Sequence, residues 1–365
     1  MKVLLIITGL GMGGAERQVC DLADQFVELG HNVFIVSLVG QTINRPEHSV
    51  VNIAEIGMSK SFISLVKAYL AVRRIIIEFQ PDVVHSHMVH ANVFTRLLRL
   101  TVHFPKLICT AHNSNEGGSM RMFAYRATDC LCDLSTNVSH EAVEAFITQG
   151  AVQPDRMLAV HNGIDTSRFS FNQQSRNKLR EELQLTESNK LILAVGRLNK
   201  QKDYLNLLNA YRYLVSSYEQ SRQSRLAIIG VGEELDKLKA TVAKHGLTEY
   251  VFFLGMRKDV HDWMSAADVF VLSSAWEGFG LVVAEAMACE RIVVATDCGG
   301  VKEVVGDTGI LVPAKDSVAL AQGLEKGLAL TREAALVQGR LARQRIVARY
   351  SLSVQAERWL ELYQK

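Results

Sequence analysis

Short runs of β-branched and aliphatic residues alternate along this chain with longer amphipathic stretches. Val3–Ile7, Asn32–Leu38, Val83–His85, Leu107–Thr110 and Met157–His161 have the composition of buried strands. Between the first two, Ala15–Leu29 carries Val19, Leu22, Ala23 and Phe26 at the i, i+3, i+4, i+7 spacing of a helix packed on one face. Phe62–Phe79 is a second helical stretch. The pattern then restarts. Leu191–Val195, Leu226–Ile229, Val251–Leu254, Val269–Leu272, Ile292–Ala295 and Ile310–Val312 form a second strand series, separated by helical segments such as Asp203–Ser217 and Glu233–His245.

Strands alternating with helices predict mostly parallel sheets covered by helices, an α/β class. Two series predict two Rossmann-like domains facing across a cleft. The polar stretch Asn172–Lys190, helical around Asn177–Leu183, falls in a linker region at 169–190. The first domain is then residues 1–168 and the second 191–352.

Composition narrows the function without naming it. The chain has 365 residues, 48% hydrophobic and 21% charged, which suits a folded protein with large cores. Forty Lys and Arg against 38 acids leave a net +2, which gives no case for nucleic acid as a partner. The N-terminus has one Lys and a five-residue apolar run, short for a signal peptide, and no apolar run reaches the ~18 residues of a membrane span. The six cysteines therefore read as reduced thiols of a cytosolic protein. Cys130 and Cys132 have no second pair at zinc spacing, so they read as small buried hydrophobes. Charge is uneven, however. Residues 60–126 hold nine Lys and Arg (Lys60, Lys67, Arg73, Arg74, Arg96, Arg99, Lys106, Arg121, Arg126) against Glu78, Asp82 and Glu116, a local +6. Solvated helix faces explain such a segment; so does a surface for anionic lipid or a lipid-linked phosphate.

Four loops carry candidate chemistry, each just after a strand. Gly9-Leu-Gly11-Met-Gly13-Gly14 matches G-x-G-x-x-G, where glycines let backbone N–H groups approach a phosphate. A nicotinamide site would add an acid after the second strand, yet Val36, Ser37, Leu38 and Val39 stand there. Gly196-Arg197…Lys202 offers two cations, one a planar fork and one a point charge, that can converge on a diphosphate. Gly255-Met256-Arg257 is a third loop. The fourth runs from Ser274 through Glu277, Gly278, Phe279 and Gly280 into a helix starting at Leu281 and holding Glu285. The spacing of Glu277 and Glu285 recurs at Glu47/Glu55 and Glu325/Glu333, so only its place between strand and helix makes it informative. His85, His87 and His90 cluster at a strand end, but no convincing carboxylate accompanies them, so no metal site is expected. There is no D-x-D pair.

Taken together these motifs resemble the family 4 glycosyltransferases, retaining enzymes of the GT-B fold, and among them bacterial O-antigen and capsule polysaccharide enzymes. The resemblance runs nearly end to end. It rests on Gly13-Gly14-Ala15-Glu16, Pro81-Asp-Val-Val-His85-Ser-His87, Thr110-Ala-His112-Asn113, Asn162-Gly-Ile-Asp165, Gly196-Arg197 with Lys202, Gly255-Met-Arg257, the Glu277…Glu285 stretch and the closing Tyr350…Tyr363 segment. It implies that Arg197 and Lys202 bind the donor diphosphate, that Glu285 holds the ribose, and that Glu277 contacts the donor sugar. It also implies that backbone at Phe279, Gly280 and Leu281 holds sugar and phosphate, and that Met256 and Arg257 lie near the base. Gly13 and Gly14 would line the cleft opposite the diphosphate, with His112 near the donor sugar. Apart from the resemblance, the His85, His87 and His90 cluster reads as acceptor contact or as structure, with His87 the acceptor candidate. The last helix, 353–365, would pack back on the first domain. Asn162–Asp165 reads as a structural turn.

The expected reaction moves a sugar from a nucleotide diphosphate, with uridine favoured and a hexose or N-acetylhexosamine as cargo, to a hydroxyl of a glycan acceptor. The resemblance points to a polyprenyl-diphosphate-linked acceptor, handled by a protein peripheral to the inner face of the cytoplasmic membrane; a soluble glycan is the other form. Arg197, Lys202, Glu277 and His112 are the expected catalytic residues, and neither a metal nor another cofactor is expected. A nucleotide-sugar epimerase or hydrolase on the same fold, a dehydrogenase, and a non-catalytic nucleotide-sugar-binding protein remain as alternatives.

Overall fold

The computed structural model describes residues 1–114 and 117–365. Glu116, one of the three acids set against the basic segment, lies outside the described residues. The chain folds into two compact units: Met1–Gly163 with Leu352–Lys365, and Ile164–Ser351.

The first unit is a seven-stranded sheet of β1 (Lys2–Ile7), β2 (Asn32–Ser37), β3 (Asn52–Glu55), β4 (Val83–His87), β5 (Leu107–Ala111), β6 (Leu134–Asn137) and β7 (Met157–Ala159). All neighbours are parallel, in the order β3-β2-β1-β4-β5-β6-β7. Its helices are α1 (Gly14–Glu28), α2 (Phe62–Phe79), α3 (Val89–Leu98), α4 (Ser119–Thr128) and α5 (His140–Thr148). The two-residue period of β1 sorts its side chains to opposite cores. Val3, Leu5 and Ile7 pack with Val19, Leu22 and Phe26 of α1, whereas Leu4 and Ile6 pack with Val72 and Ile76 of α2. Burial on both faces explains why such strands read as unbroken apolar runs.

The second unit is a six-stranded parallel sheet of β8 (Lys190–Val195), β9 (Ser224–Ile229), β10 (Val251–Gly255), β11 (Val269–Leu272), β12 (Ile292–Asp297) and β13 (Ile310–Pro313), ordered β10-β9-β8-β11-β12-β13. It is covered by α6 (Gln173–Glu182), α7 (Tyr204–Ser217), α8 (Leu235–Lys244), α9 (Val260–Ala266), α10 (Leu281–Ala288), α11 (Val301–Val305), α12 (Ser317–Leu328) and α13 (Arg332–Tyr350). The polar stretch before β8 is structured rather than loose. Arg176 of α6 donates to the carbonyls of Ala266 and Ala267 at 2.7 and 2.9 Å and pairs with Asp268 at 2.6 Å. Arg180 reaches the same carboxylate at 3.1 Å, and these pairs hold it below the usual range against the opposing effect of burial. The polarity of 169–190 thus serves internal hydrogen bonding.

The chain then returns to the first unit through α14 (Leu352–Gln364). Ala356, Trp359 and Tyr363 join the core formed by Val3, Leu5 and Phe26. Lys106 donates to the Leu362 carbonyl at 2.6 Å and Arg358 to that of Ala159 at 3.0 Å. Two short strands, β3 and β6, fall outside the sequence reading. Cys132 is buried as expected, whereas Cys130 is exposed. Among the described residues no helix is long and apolar enough to cross a membrane.

Candidate active site

In an open parallel sheet, ligands collect beyond the carboxyl ends of the strands where the strand order reverses, because the two connecting loops part there and leave a crevice. The second sheet reverses between β8 and β11. The loops leaving those two strands carry Arg197 to Lys202 and Ser273 to Gly280.

These loops are laced together. The Ala275 N–H donates to the Gln201 carbonyl at 2.8 Å, the Gln201 amide to the Trp276 carbonyl at 3.1 Å, and Ser273 Oγ to the Lys202 carbonyl at 2.8 Å. The lacing brings Lys202 Nζ to Glu277 Oε1 at 2.5 Å. Ser274 Oγ donates to the same carboxylate oxygen at 2.6 Å. Ser274 is fully buried and Glu277 only 6% exposed, so Glu277 is fixed by two short bonds in a place of low water access. The Gly299 turn closes over the loop: a Cβ built at Gly299, whose φ is +58°, would stand 2.0 Å from the Glu277 carbonyl oxygen. Arg197 is exposed, and its guanidinium has no protein partner among the described residues. A fork-shaped cation thus stands free beside a buried ammonium–carboxylate pair.

Gly280, at φ +86°, is the N-cap of α10, so the first N–H groups of that helix open on the same sheet edge. Phe279 is buried edge-on against the Tyr350 ring at 5.6 Å. Glu285 is half-buried within α10. The loop after β10 leaves Met256 59% exposed. Arg257 is already engaged: its Nε and Nη2 donate to Asp259 at 2.9 and 2.8 Å, which raises the arginine and lowers the carboxyl from their ordinary values.

Sequence reading missed three contributors here. One is the side chains of Ser274 and Tyr204, which stand in or next to loops already singled out but were given no role; the Tyr204 hydroxyl donates to the Gly196 carbonyl at 3.1 Å. The loop Gly230–Gly232 is another, bonded to the Arg197 loop through Leu198 N to Val231 O at 3.0 Å. The Cys298–Gly300 turn is the third, with Gly300 N on the Gly278 carbonyl at 3.1 Å. Each follows a strand, which was the available signal.

The first sheet reverses between β1 and β4. Beyond β1 lies the glycine loop, held by Asn44 Nδ2 donating to the Gly11 carbonyl at 2.5 Å. Gly13 is the N-cap of α1, and the Glu16 carboxylate lies over it; a Cβ at Gly13 would stand within 2.3 Å of Glu16 Oε2. Burial raises the Glu16 carboxyl, partly offset by a backbone hydrogen bond. The positive end of α1 therefore already faces the chain's own carboxylate.

Beyond β4 and β5 lie His87 and His112, with His87 Nδ1 and His112 Nε2 3.1 Å apart. His87 is 1% exposed and faces His112 rather than solvent. Among the described residues, its Nε2 and the Nδ1 of His112 are buried without a protein partner. One layer in, His85 bonds the Tyr363 hydroxyl and Thr110 Oγ1, both at 2.6 Å, and Thr110 continues to Thr136 at 2.6 Å. Burial drives His85 and His87 well below their ordinary value and His112 down to about 4, so the cluster is neutral at pH 7. The turn expected at Asn162–Asp165 falls just after it: Ile164 bridges to Ser351, and Asp165 Oδ1 caps the turn at Thr166–Arg168 by accepting from Ser167 N and Arg168 N, both at 3.0 Å.

Residues 12–168 match the model of "Glycosyltransferase Family 4" and residues 175–344 that of "Glycosyl transferases group 1". A protein named for glycosyl transfer, EpsD of Bacillus subtilis (strain 168), is 29% identical over 279 residues, 71% of this chain and 70% of that one. The N-acetylgalactosamine-N,N'-diacetylbacillosaminyl-diphospho-undecaprenol 4-alpha-N-acetylgalactosaminyltransferase of Campylobacter jejuni is 31% identical over 196 residues; the chain spans about half of its length (50%), and 53% of this chain is covered. The solved structure of Anabaena Alr3699/HepE with UDP-glucose superposes with a TM-score of 0.87 at 21% identity, over 100% of this chain and 99% of that one, and so shares the fold. The chain belongs to the group 1/family 4 glycosyltransferases, built as two parallel Rossmann-like sheets on the GT-B plan, and works on nucleotide-sugar donors.

Proposed function

We propose that this enzyme transfers a hexose or N-acetylhexosamine from a UDP donor, with retention at the anomeric carbon, to a hydroxyl of a glycan carried on a polyprenyl diphosphate. The observation that carries the donor half is the Lys202–Glu277 pair at the switch point of the second sheet, beside the free Arg197. A departing diphosphate concentrates negative charge; Lys202, held by Glu277 where water access is low, and the exposed Arg197 fork can offset it. Lys202 keeps two further N–H bonds for phosphate oxygens while Glu277 holds it in place. Glu277 then sits where the sugar's hydroxyls and the developing oxocarbenium charge need an acceptor. We assign it a positioning and electrostatic role rather than that of a covalent nucleophile.

In the reaction the C1–O bond to the phosphate breaks as a C1–O bond to the acceptor forms on the same face. The acceptor proton passes to the leaving phosphate oxygen, so no side chain is left with a changed charge. Two cations can do the electrostatic work a metal does elsewhere, and activity that survives chelation would agree with this. Glu285 is assigned to the ribose, Met256 to the base, and the N–H groups at Gly280 and Leu281 to phosphate. Arg257 is assigned a loop-shaping role through Asp259. In the first unit, His112 offers a neutral imidazole to the donor sugar, and His87 positions it through the 3.1 Å bond.

The acceptor half draws on relatives. The Campylobacter enzyme's name specifies an undecaprenol-diphosphate acceptor, as does that of an Escherichia coli UDP-Gal:alpha-D-GlcNAc-diphosphoundecaprenol alpha-1,3-galactosyltransferase. Apart from Arg96, which is buried, the cations of segment 60–126 suit such a carrier, and on this reading the enzyme works at the inner face of the cytoplasmic membrane. The test is a panel of nucleotide sugars scored by melting shift and slow hydrolysis, followed by transfer to a synthetic polyprenyl-diphosphate glycan. One UDP-sugar giving an α-linked product is expected. Sugar released or epimerised with no acceptor dependence would replace the transferase reading with the hydrolase or epimerase one.

A further inference from the structure

The chain has three tryptophans, and one of them meets solvent. Trp263 is fully buried and Trp359 is 3% exposed, whereas Trp276 is 42% exposed. Against the ~250 Å² that a large aromatic side chain can bury, this leaves about 100 Å² of mostly apolar ring in water. One exposed aromatic on a loose loop would be ordinary. Trp276 is not on a loose loop. The Ala275 N–H donates to the Gln201 carbonyl at 2.8 Å, and the Trp276 carbonyl accepts from the Gln201 amide at 3.1 Å. On its other side Glu277 is fixed by Lys202 and Ser274. The indole is thus presented to solvent by a backbone held on both sides.

The loop has two flanks. From Glu277 onward it meets the Cys298–Gly300 turn and the N-terminus of α10, with Gly300 N on the Gly278 carbonyl at 3.1 Å. That flank, with Arg197 and Lys202, is the one assigned to the donor diphosphate. Ala275 and Trp276 lie on the other flank, against Gln201. Ser274 and Glu277 turn inward and are buried, and the indole between them turns outward. Its chemistry selects what can rest there. The face of an aromatic ring is negative, so it disfavours a phosphate and suits the weakly positive C–H groups on the apolar face of a pyranose. The ring N–H remains as a donor for a hydroxyl.

We propose that the Trp276 indole is the second unit's platform for the acceptor, on which a pyranose of the acceptor glycan lays its C–H face. One residue separates this ring from Glu277, the group assigned to the donor sugar, so a sugar stacked on it has its hydroxyls beside the reacting carbon. The fixed backbone of Trp276 supplies the orientation that attack by one chosen hydroxyl requires. This role rests on the transferase reading given above, but part of its test needs no turnover.

The full chain is tested by quenching its tryptophan fluorescence with acrylamide, which reaches Trp276 and not the two buried indoles. UDP alone should leave the quenching unchanged. Methyl α- and β-glycosides of hexoses and N-acetylhexosamines are then titrated into the UDP-saturated protein, and at least one should shield the indole saturably. In Trp276→Phe the quenchable fraction should vanish. In transfer to the synthetic polyprenyl-diphosphate glycan, Trp276→Leu should raise the acceptor KM about tenfold while UDP affinity holds, which also shows that the second unit is folded. Trp276→Phe keeps an aromatic face and should stay within about threefold of wild type. Shielding by UDP alone would give the ring to the donor and overturn the proposal. So would a panel in which no glycoside shields it, or a Trp276→Leu variant with the wild-type acceptor KM. Shielding by a glycoside in a protein that transfers no sugar would sink the transferase reading and leave the sugar platform standing.

Discussion

The two sheets solve one topological problem with opposite chemistry. Each reverses its strand order once, and each gathers polar groups beyond that point. At the β8/β11 reversal the groups are ionic: Lys202 and Glu277 at 2.5 Å, with Arg197 alongside. At β1/β4 and the neighbouring β5, apart from the Glu16 carboxylate over the glycine loop, they are neutral imidazoles and hydroxyls, His85, His87, His112 and Thr110. The cations of the first edge suit a diphosphate. The neutral donors and acceptors of the second suit sugar hydroxyls, which carry no charge to match. The comparison teaches that the fold supplies the crevice and the side chains supply the selectivity.

Breaking the ionic edge should have the largest effect. Lys202→Ala should lower kcat by about 10³-fold, ~4 kcal/mol of transition-state stabilisation, in a protein that still folds but melts lower because Glu277 loses its partner. Steady-state kinetics beside thermal melting would separate this from misfolding, and wild-type turnover would remove Lys202 from the leaving-group role.

The neutral edge should show itself through acid. His112 titrates at 6.5 when unfolded and at about 4 when folded, so the unfolded chain takes up its proton first as pH falls. Its contribution, roughly 3 kcal/mol by that shift, is fully present above pH 6.5 and lost between there and pH 4. His85 and His87 move in the same direction. Urea denaturation at several pH values should show this decline, and a His87→Gln/His112→Gln variant should decline less steeply. Equal slopes would mean that the histidines are not held neutral.

Smaller effects sharpen the contrast. Ser274→Ala removes the 2.6 Å bond that orients Glu277, and about a tenfold loss of kcat with little change in KM is expected. Tyr363→Phe removes the hydroxyl from His85 and should lower unfolding stability by about 1 kcal/mol in chemical denaturation, with the donor constants unchanged.

The strands of the two series were legible because buried parallel strands are written in consecutive aliphatics, and Leu191–Val195 shows this well. β6 was not, since Leu134-Ser-Thr-Asn reads as a turn. Ser135 and Thr136 are buried there because Arg96 and Thr110 satisfy them from the side. The same limit applies to the sites. Arg197, Lys202 and Glu277 stood out as strand-end residues, but the bond joining Lys202 to Glu277 spans 75 residues of sequence and follows only from strand order. The bond from His85 to Tyr363 spans 278, and no local pattern announces it.

The division between the two edges is tested most directly by calorimetric titration of UDP into three proteins: wild type, Arg197→Gln/Lys202→Gln, and His87→Gln/His112→Gln. The first double variant should lose about a hundredfold or more in affinity, and the second should bind UDP nearly as wild type does. UDP affinity that survives loss of both cations, or that falls with the histidines instead, would contradict it.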